Sequence, residues 1–100
     1  MADRCLHLVC PRAAEERVLD ALLALGEAGV FTSLQAHAHG FAHGRLSAAE
    51  QVSGHSEASL VQVFVAAGRL DALLGELARQ LAQAGVRYWV TSVERQGEFQ

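Results

Sequence analysis

The sequence predicts an α+β domain, a ferredoxin-like β-α-β-β-α-β sandwich with a long loop between its second and third strands. Three observations carry this. Two leucine-striped helical stretches, 12–26 and 69–84, are each flanked by short β-rich stretches. The strand–helix–strand order occurs twice, which is the split βαβ arrangement. Between the halves, Gln35 to His55 breaks every periodic pattern around it. One hundred residues make one domain, 1–100, with a His-rich loop at about 37–56. A chain of this length can bury about two-thirds of its unfolded surface, so a core forms without staples.

The elements follow in order. Residues 4–10 place Cys5, His7 and Val9 on one face of a strand and Leu6, Leu8 and Cys10 on the other, as in a strand buried on both sides. Pro11 ends it. In 12–26 the expected stripe is Val18, Leu19, Leu22, Leu23 and Leu25, with Glu15 and Glu16 in the first turn, where the helix dipole favours acids. Gly26 or Gly29 supplies the stop. Residues 29–37 read as strand two through Val30, Phe31, Thr32 and Leu34. Within the loop, Ser47 and Glu50 match a capping box for a short helical turn. Residues 58–66 are the strongest strand, again apolar on both faces. The second helix aligns Leu70, Leu73, Leu74, Leu77 and Leu81, and Gly85 closes it. The last strand is 86–93. Tyr88 and Trp89 alternate there, one towards the core and one towards a subunit interface. The tail from Glu94 is polar and expected to fray.

Two-sided strands with only two helices leave one sheet face uncovered. The cheapest cover is another subunit, so a closed homo-oligomer is expected.

Composition excludes several roles. The net charge is −3 and the basic residues are scattered, against the clustered footprint that nucleic acid requires. All eight cationic side chains are Arg, so lysine chemistry such as a Schiff base or a P-loop lysine is absent. No run of about 18 apolar residues exists to span a membrane. The start MADRCLHLVCPR mixes an acid, bases, a short apolar run and a proline, unlike a signal peptide. The expected location is the cytoplasm. Cys5 and Cys10 are five apart, on opposite strand faces, which fits reduced thiols.

Chemistry concentrates in the loop. It holds His37, His39, His43 and His55, four of the five histidines. On extended chain His37 and His39 point the same way, and one helical turn would join His39 to His43. Imidazole suits Zn, Cu and Ni, so a divalent transition metal is the expected cofactor, held by His39 and His43 with His37 and His55 completing the set. The alternatives are solvated side chains or contacts to a partner. Arg45 is the natural anchor for an acidic ligand or partner. Glu50 joins it as a ligand- or partner-binding candidate. His7, on a strand, reads as a satisfied core or interface histidine. No nucleophile–base pair is legible, so no catalytic residue is assigned and an enzyme is not expected.

LHLVCP (Leu6 to Pro11), VFTS (Val30 to Ser33), HGFAHGRLSAAEQVSG (His39 to Gly54) and RYWV (Arg87 to Val90) together resemble the PII-like superfamily, and within it the DUF3240 group. The resemblance spans nearly the whole chain. It implies a cytoplasmic homotrimeric regulator linked to heavy-metal efflux, with a membrane transporter of the resistance–nodulation–division type as partner. It also implies the alternative of an adenine-nucleotide-binding regulator without metal. Nucleotide-binding relatives carry a Gly- and Lys-containing phosphate loop between the second helix and the last strand. Here that connection is AQAGVR, Ala82 to Arg87, with one Gly and one Arg to support phosphate.

Overall fold

Apolar alternation on the first strand decides where the core lies. In the computed structural model, which describes residues 2–26, 29–40 and 56–100, β1 runs Arg4–Pro11. A short 3-10 turn, Arg12–Ala14, leads into helix α1, Glu15–Leu25. Strand β2 is Phe31–Ala38 and β3 is Ser56–Val65. Helix α2 is Ala67–Gln80 and β4 is Arg87–Ser92. The sheet order is β2-β3-β1-β4, every neighbouring pair antiparallel. This is the expected α+β class with the expected element order.

Both helices pack on one sheet face. That face presents Leu6, Leu8 and Cys10 of β1 and Val61, Val63 and Val65 of β3. Val18, Ala21 and Leu22 of α1 and Leu73 and Leu77 of α2, with Leu81 beyond it, close over them. Each such Leu or Val removed from water contributes about 1.5–3 kcal/mol. The expected α1 stripe needs one correction: Leu23 is 66% exposed. At about 100° per residue it lies well off the line through Val18 and Leu22, and Ala21 takes the inward place.

Gly26 is the α1 stop, with φ +67, a conformation in which a Cβ is strained. Helix α2 ends at Gln80, earlier than the leucine pattern suggests. The chain leaves helical geometry in the following turn, where Gln83 and Gly85 both take positive φ. Arg17 of α1 donates to the Gln80 carbonyl at 2.9 Å, placing a cation at the carbonyl end of α2. At its other end α2 is capped from a distance. The Asp3 carboxylate accepts from the Ala67 N–H at 2.8 Å, and this bond holds the Asp3 carboxyl below its ordinary 3.8.

Among the described residues, no helix lies on the second sheet face. Leu34, Phe64 and Trp89 are exposed there, beside half-buried Val9 and Leu60. In register, Leu34, Leu60 and Val9 form one row across β2, β3 and β1, and Gln62, His7 and Trp89 form the next across β3, β1 and β4. His7 is satisfied within that face. Its Nδ1 accepts from Gln62 Nε2 at 3.2 Å, and its Nε2 lies 2.9 Å from Thr91 Oγ1. Its ring stacks on Trp89, centroids 5.0 Å apart and planes 6° from parallel. Trp89 thus takes the open face and Tyr88 the helix side.

Both cysteines are free and lie on opposite faces of β1, as their spacing requires. Cys10 is fully buried and its thiol donates to the Ser59 carbonyl at 3.5 Å. Burial first, and then the nearby Glu15 carboxylate, push that thiol up to about 11 from an ordinary 9.0. The unfolded chain therefore loses this proton before the folded one does. Stability from Cys10 is complete below pH 9 and is lost as pH rises from there through about 11. Thermal unfolding followed by circular dichroism from pH 8 to 11 should show a falling Tm, with a shallower slope in Cys10→Ala. Equal slopes would mean that other groups drive the alkaline loss.

Candidate functional site: the cleft at the base of segment 39–55

The topology brings four strand ends to one end of the sheet. Strand β2 runs parallel to β1, because each is antiparallel to β3, and β4 runs antiparallel to β1. The ends of β1 and β2 and the starts of β3 and β4 therefore share that end. Segment 39–55 leaves and returns there. At its neck Ala38 faces Ser56 in register, and the buried Ser56 hydroxyl donates to the Ala38 carbonyl at 3.4 Å. A backbone pair and a hydroxyl thus fix the two strand ends.

Beside the neck lies a cleft of about 360 Å³ lined by Val9, Ala38, His39, Gly40, Arg87, Tyr88 and Trp89. Gly40, at φ +90, turns the chain away at its lip in a conformation that favours glycine. Arg87 and His39 are exposed. Arg87 makes no ion pair or hydrogen bond among the described residues. The Arg87 guanidinium at this cleft suits an anionic ligand, since its fork matches carboxylate or phosphate.

The predicted site residues divide here. His39 lines the cleft. His37 lies inside β2, directly opposite Glu57, which also pairs with Arg12 at 3.4 Å. The loop is thus shorter than the expected 37–56, because His37 belongs to β2 and Ser56 to β3. His43, Arg45, Glu50 and His55, with the Ser47–Glu50 turn, lie outside the described residues. Among the described residues, no three His, Cys, Asp or Glu side chains converge on one point.

Sequence reasoning did not assign Arg87, Tyr88 and Trp89 to the site. The signal was available in the strand order, since any split βαβ sheet puts the start of its last strand at the same end as the β2–β3 connection.

An antiparallel four-stranded sheet in the order β2-β3-β1-β4, with two helices on one face, is the ferredoxin-like fold. The chain belongs to the DUF3240 family, described as proteins of unknown function, whose model matches residues 1–100. Among solved structures it is similar to a DUF3240 protein from Shewanella baltica, at 20% identity and TM-score 0.78, covering 100% of this chain and 99% of the other. It is similar to CPII, a nitrogen regulatory PII-like protein from Thiomonas intermedia solved with ADP, AMP and bicarbonate, at 14% identity and TM-score 0.72, with 97% and 96% covered. It is also similar to CutA, a periplasmic divalent cation tolerance protein from Archaeoglobus fulgidus, at 11% identity and TM-score 0.68, with 95% and 87% covered. No protein with a curated description matches the chain. Among the described residues, no helix is long and apolar enough to cross a membrane.

Proposed function

We propose that this is a non-enzymatic, cytoplasmic PII-like regulator that acts in heavy-metal efflux. Segment 39–55 takes a divalent transition metal or small ligand and docks on a membrane transporter of the resistance–nodulation–division type. The observation that carries this reading is the position of His39. It lines the cleft at the base of the segment that also bears His43 and His55, together with Arg87. A ligand bound there touches both the rigid end of the sheet and the connection, so binding is transmitted to the segment's conformation. Imidazoles supply the metal donors, with His37 and His55 as further candidates. Arg45 and Glu50 supply polar contacts to ligand or transporter. The open sheet face, with Leu34, Leu60 and Val9 in one row, is covered by sister copies in a closed homotrimer.

Isothermal titration with Zn²⁺, Cu²⁺ and Ni²⁺ tests the sensor. The expected result is binding at micromolar concentration or tighter, lost in the His39→Ala/His43→Ala double variant. No binding, or binding that the double variant retains, overturns the metal reading. The same protein is then scanned for thermal shift with millimolar ADP and AMP. A shift of several degrees without metal binding would transfer the cleft to the nucleotide alternative.

A further inference from the structure

The hydrogen bonds of His7 fit only one protonation state of its ring. Gln62 presents its amide Nε2 to the ring Nδ1 at 3.2 Å, and an amide nitrogen only donates. Nδ1 is therefore bare, which puts the ring proton on Nε2. That proton meets Thr91 Oγ1, 2.9 Å away, and the hydroxyl accepts it. The bridge Gln62–His7–Thr91 thus joins β3, β1 and β4 and holds a neutral imidazole.

A second proton does not fit this bridge as it stands. It would sit on Nδ1 and face the Gln62 amide, donor against donor. A half-turn of that amide removes the conflict, because it brings Oε1 to Nδ1 and moves no backbone. Gln62 lines an open cleft of about 710 Å³, so the amide has space to turn. Glu98 of the chain's tail lines the same cleft and favours the charged ring. So does the indole of Trp89, on which the imidazole lies flat, centroids 5.0 Å apart and planes 6° from parallel. Arg87, two residues from Trp89 on the same face of β4, opposes it. The other ionisable groups near the ring among the described residues are Cys5 and Asp3 on its own chain segment. Burial pushes the Cys5 thiol up, so it stays neutral, and Asp3 is held at the Ala67 N–H.

We infer that His7 is a proton-operated switch behind the cleft lined by His39, Arg87 and Trp89. On acidification Nδ1 takes a proton from solvent, the Gln62 amide turns over, and a cation comes to lie against Trp89. Imidazole changes charge in the range of about pH 5 to 8, so the switch works close to neutrality. Trp89 is a wall of the cleft, and that wall acquires charge as pH falls. The device needs neither a metal nor a second copy, so it stands or falls apart from the function proposed above.

Trp89 is the chain's one tryptophan, so its emission reports on the ring stacked against it. An imidazolium quenches indole emission more strongly than a neutral imidazole. Emission is expected to fall between about pH 8 and pH 5 and to stay level in His7→Gln. In Gln62→Glu a carboxylate accepts from Nδ1–H, so the midpoint of the fall is expected about one pH unit higher. Circular dichroism confirms that both variants fold. Long-range proton–nitrogen spectra of the unaltered protein supply a second readout. They are expected to show the Nε2–H tautomer at the alkaline end and Gln62 amide signals that move as the His7 ring is protonated. An Nδ1–H tautomer there, a Gln62 amide that does not respond, flat emission, or a fall that persists in His7→Gln overturns the switch. So does an unmoved midpoint in Gln62→Glu.

Discussion

Leu60→Asp is expected to leave a folded protomer and abolish its assembly. Leu60 is half-buried on the open sheet face, opposite Val9 in β1 and Leu34 in β2. In the free protomer a carboxylate there still meets water, so the sheet tolerates it. Once a sister copy covers the face, the charge is stripped of water with apolar neighbours on its own sheet. Removing an unpaired charge from water costs several kcal/mol even after relaxation. Each 1.4 kcal/mol is about tenfold in a dissociation constant, so the assembly should weaken by roughly a thousandfold or more. Sedimentation velocity at micromolar concentration reads the mass, and far-ultraviolet circular dichroism confirms that the protomer remains folded. A variant with wild-type mass would show that this face is not the one that assembles.

Leu6→Ala is expected to lower stability by about 2–5 kcal/mol, the cost of deleting a large buried side chain and leaving a cavity. Leu6 is fully buried, faces Val63 and Val90 in register, and lies under the helices. A domain of this size has about 5–15 kcal/mol in all. At about 4–8 °C per kcal/mol the melting temperature should fall by roughly 8–40 °C. Leu23→Ala is the control. It removes the same atoms from an exposed position and should change stability by about 0.5 kcal/mol or less. Calorimetry on both variants decides the matter. Equal losses would mean that α1 presents a different face to the sheet.

Much of this architecture was legible before any coordinates. Val61, Val63 and Val65 alternate with Leu60, Gln62 and Phe64, and that pattern required a strand apolar on both sides. The structure puts the valines under the helices and leaves Leu60, Gln62 and Phe64 on the open face. Leucines at period 3.6 located α2, although it stops at Gln80, because backbone dihedrals in the following turn override a side-chain pattern. Leu23 misled because leucine is as acceptable on an exposed helix face as on a buried one, and composition does not carry direction.

The site was legible in part for a related reason. Histidines announce themselves by type, so the 37–55 region stood out. Arg87, Tyr88 and Trp89 are ordinary residues of a closing strand. They become cleft residues only because β4 pairs with β1 and starts where β2 ends. His37 and His39 are two apart in sequence, yet one faces Glu57 across β2–β3 and the other lines the cleft just beyond the strand end.

The sequence alone determined the class of fold, the order of its elements, the uncovered sheet face and the region where histidine chemistry collects. These follow from local periodicity and residue type, which act over a few neighbours. Only the tertiary structure decided which groups share a cleft and that Asp3 caps a helix beginning at Ala67. Those depend on strand order and on contacts between residues tens of positions apart, which no local pattern encodes.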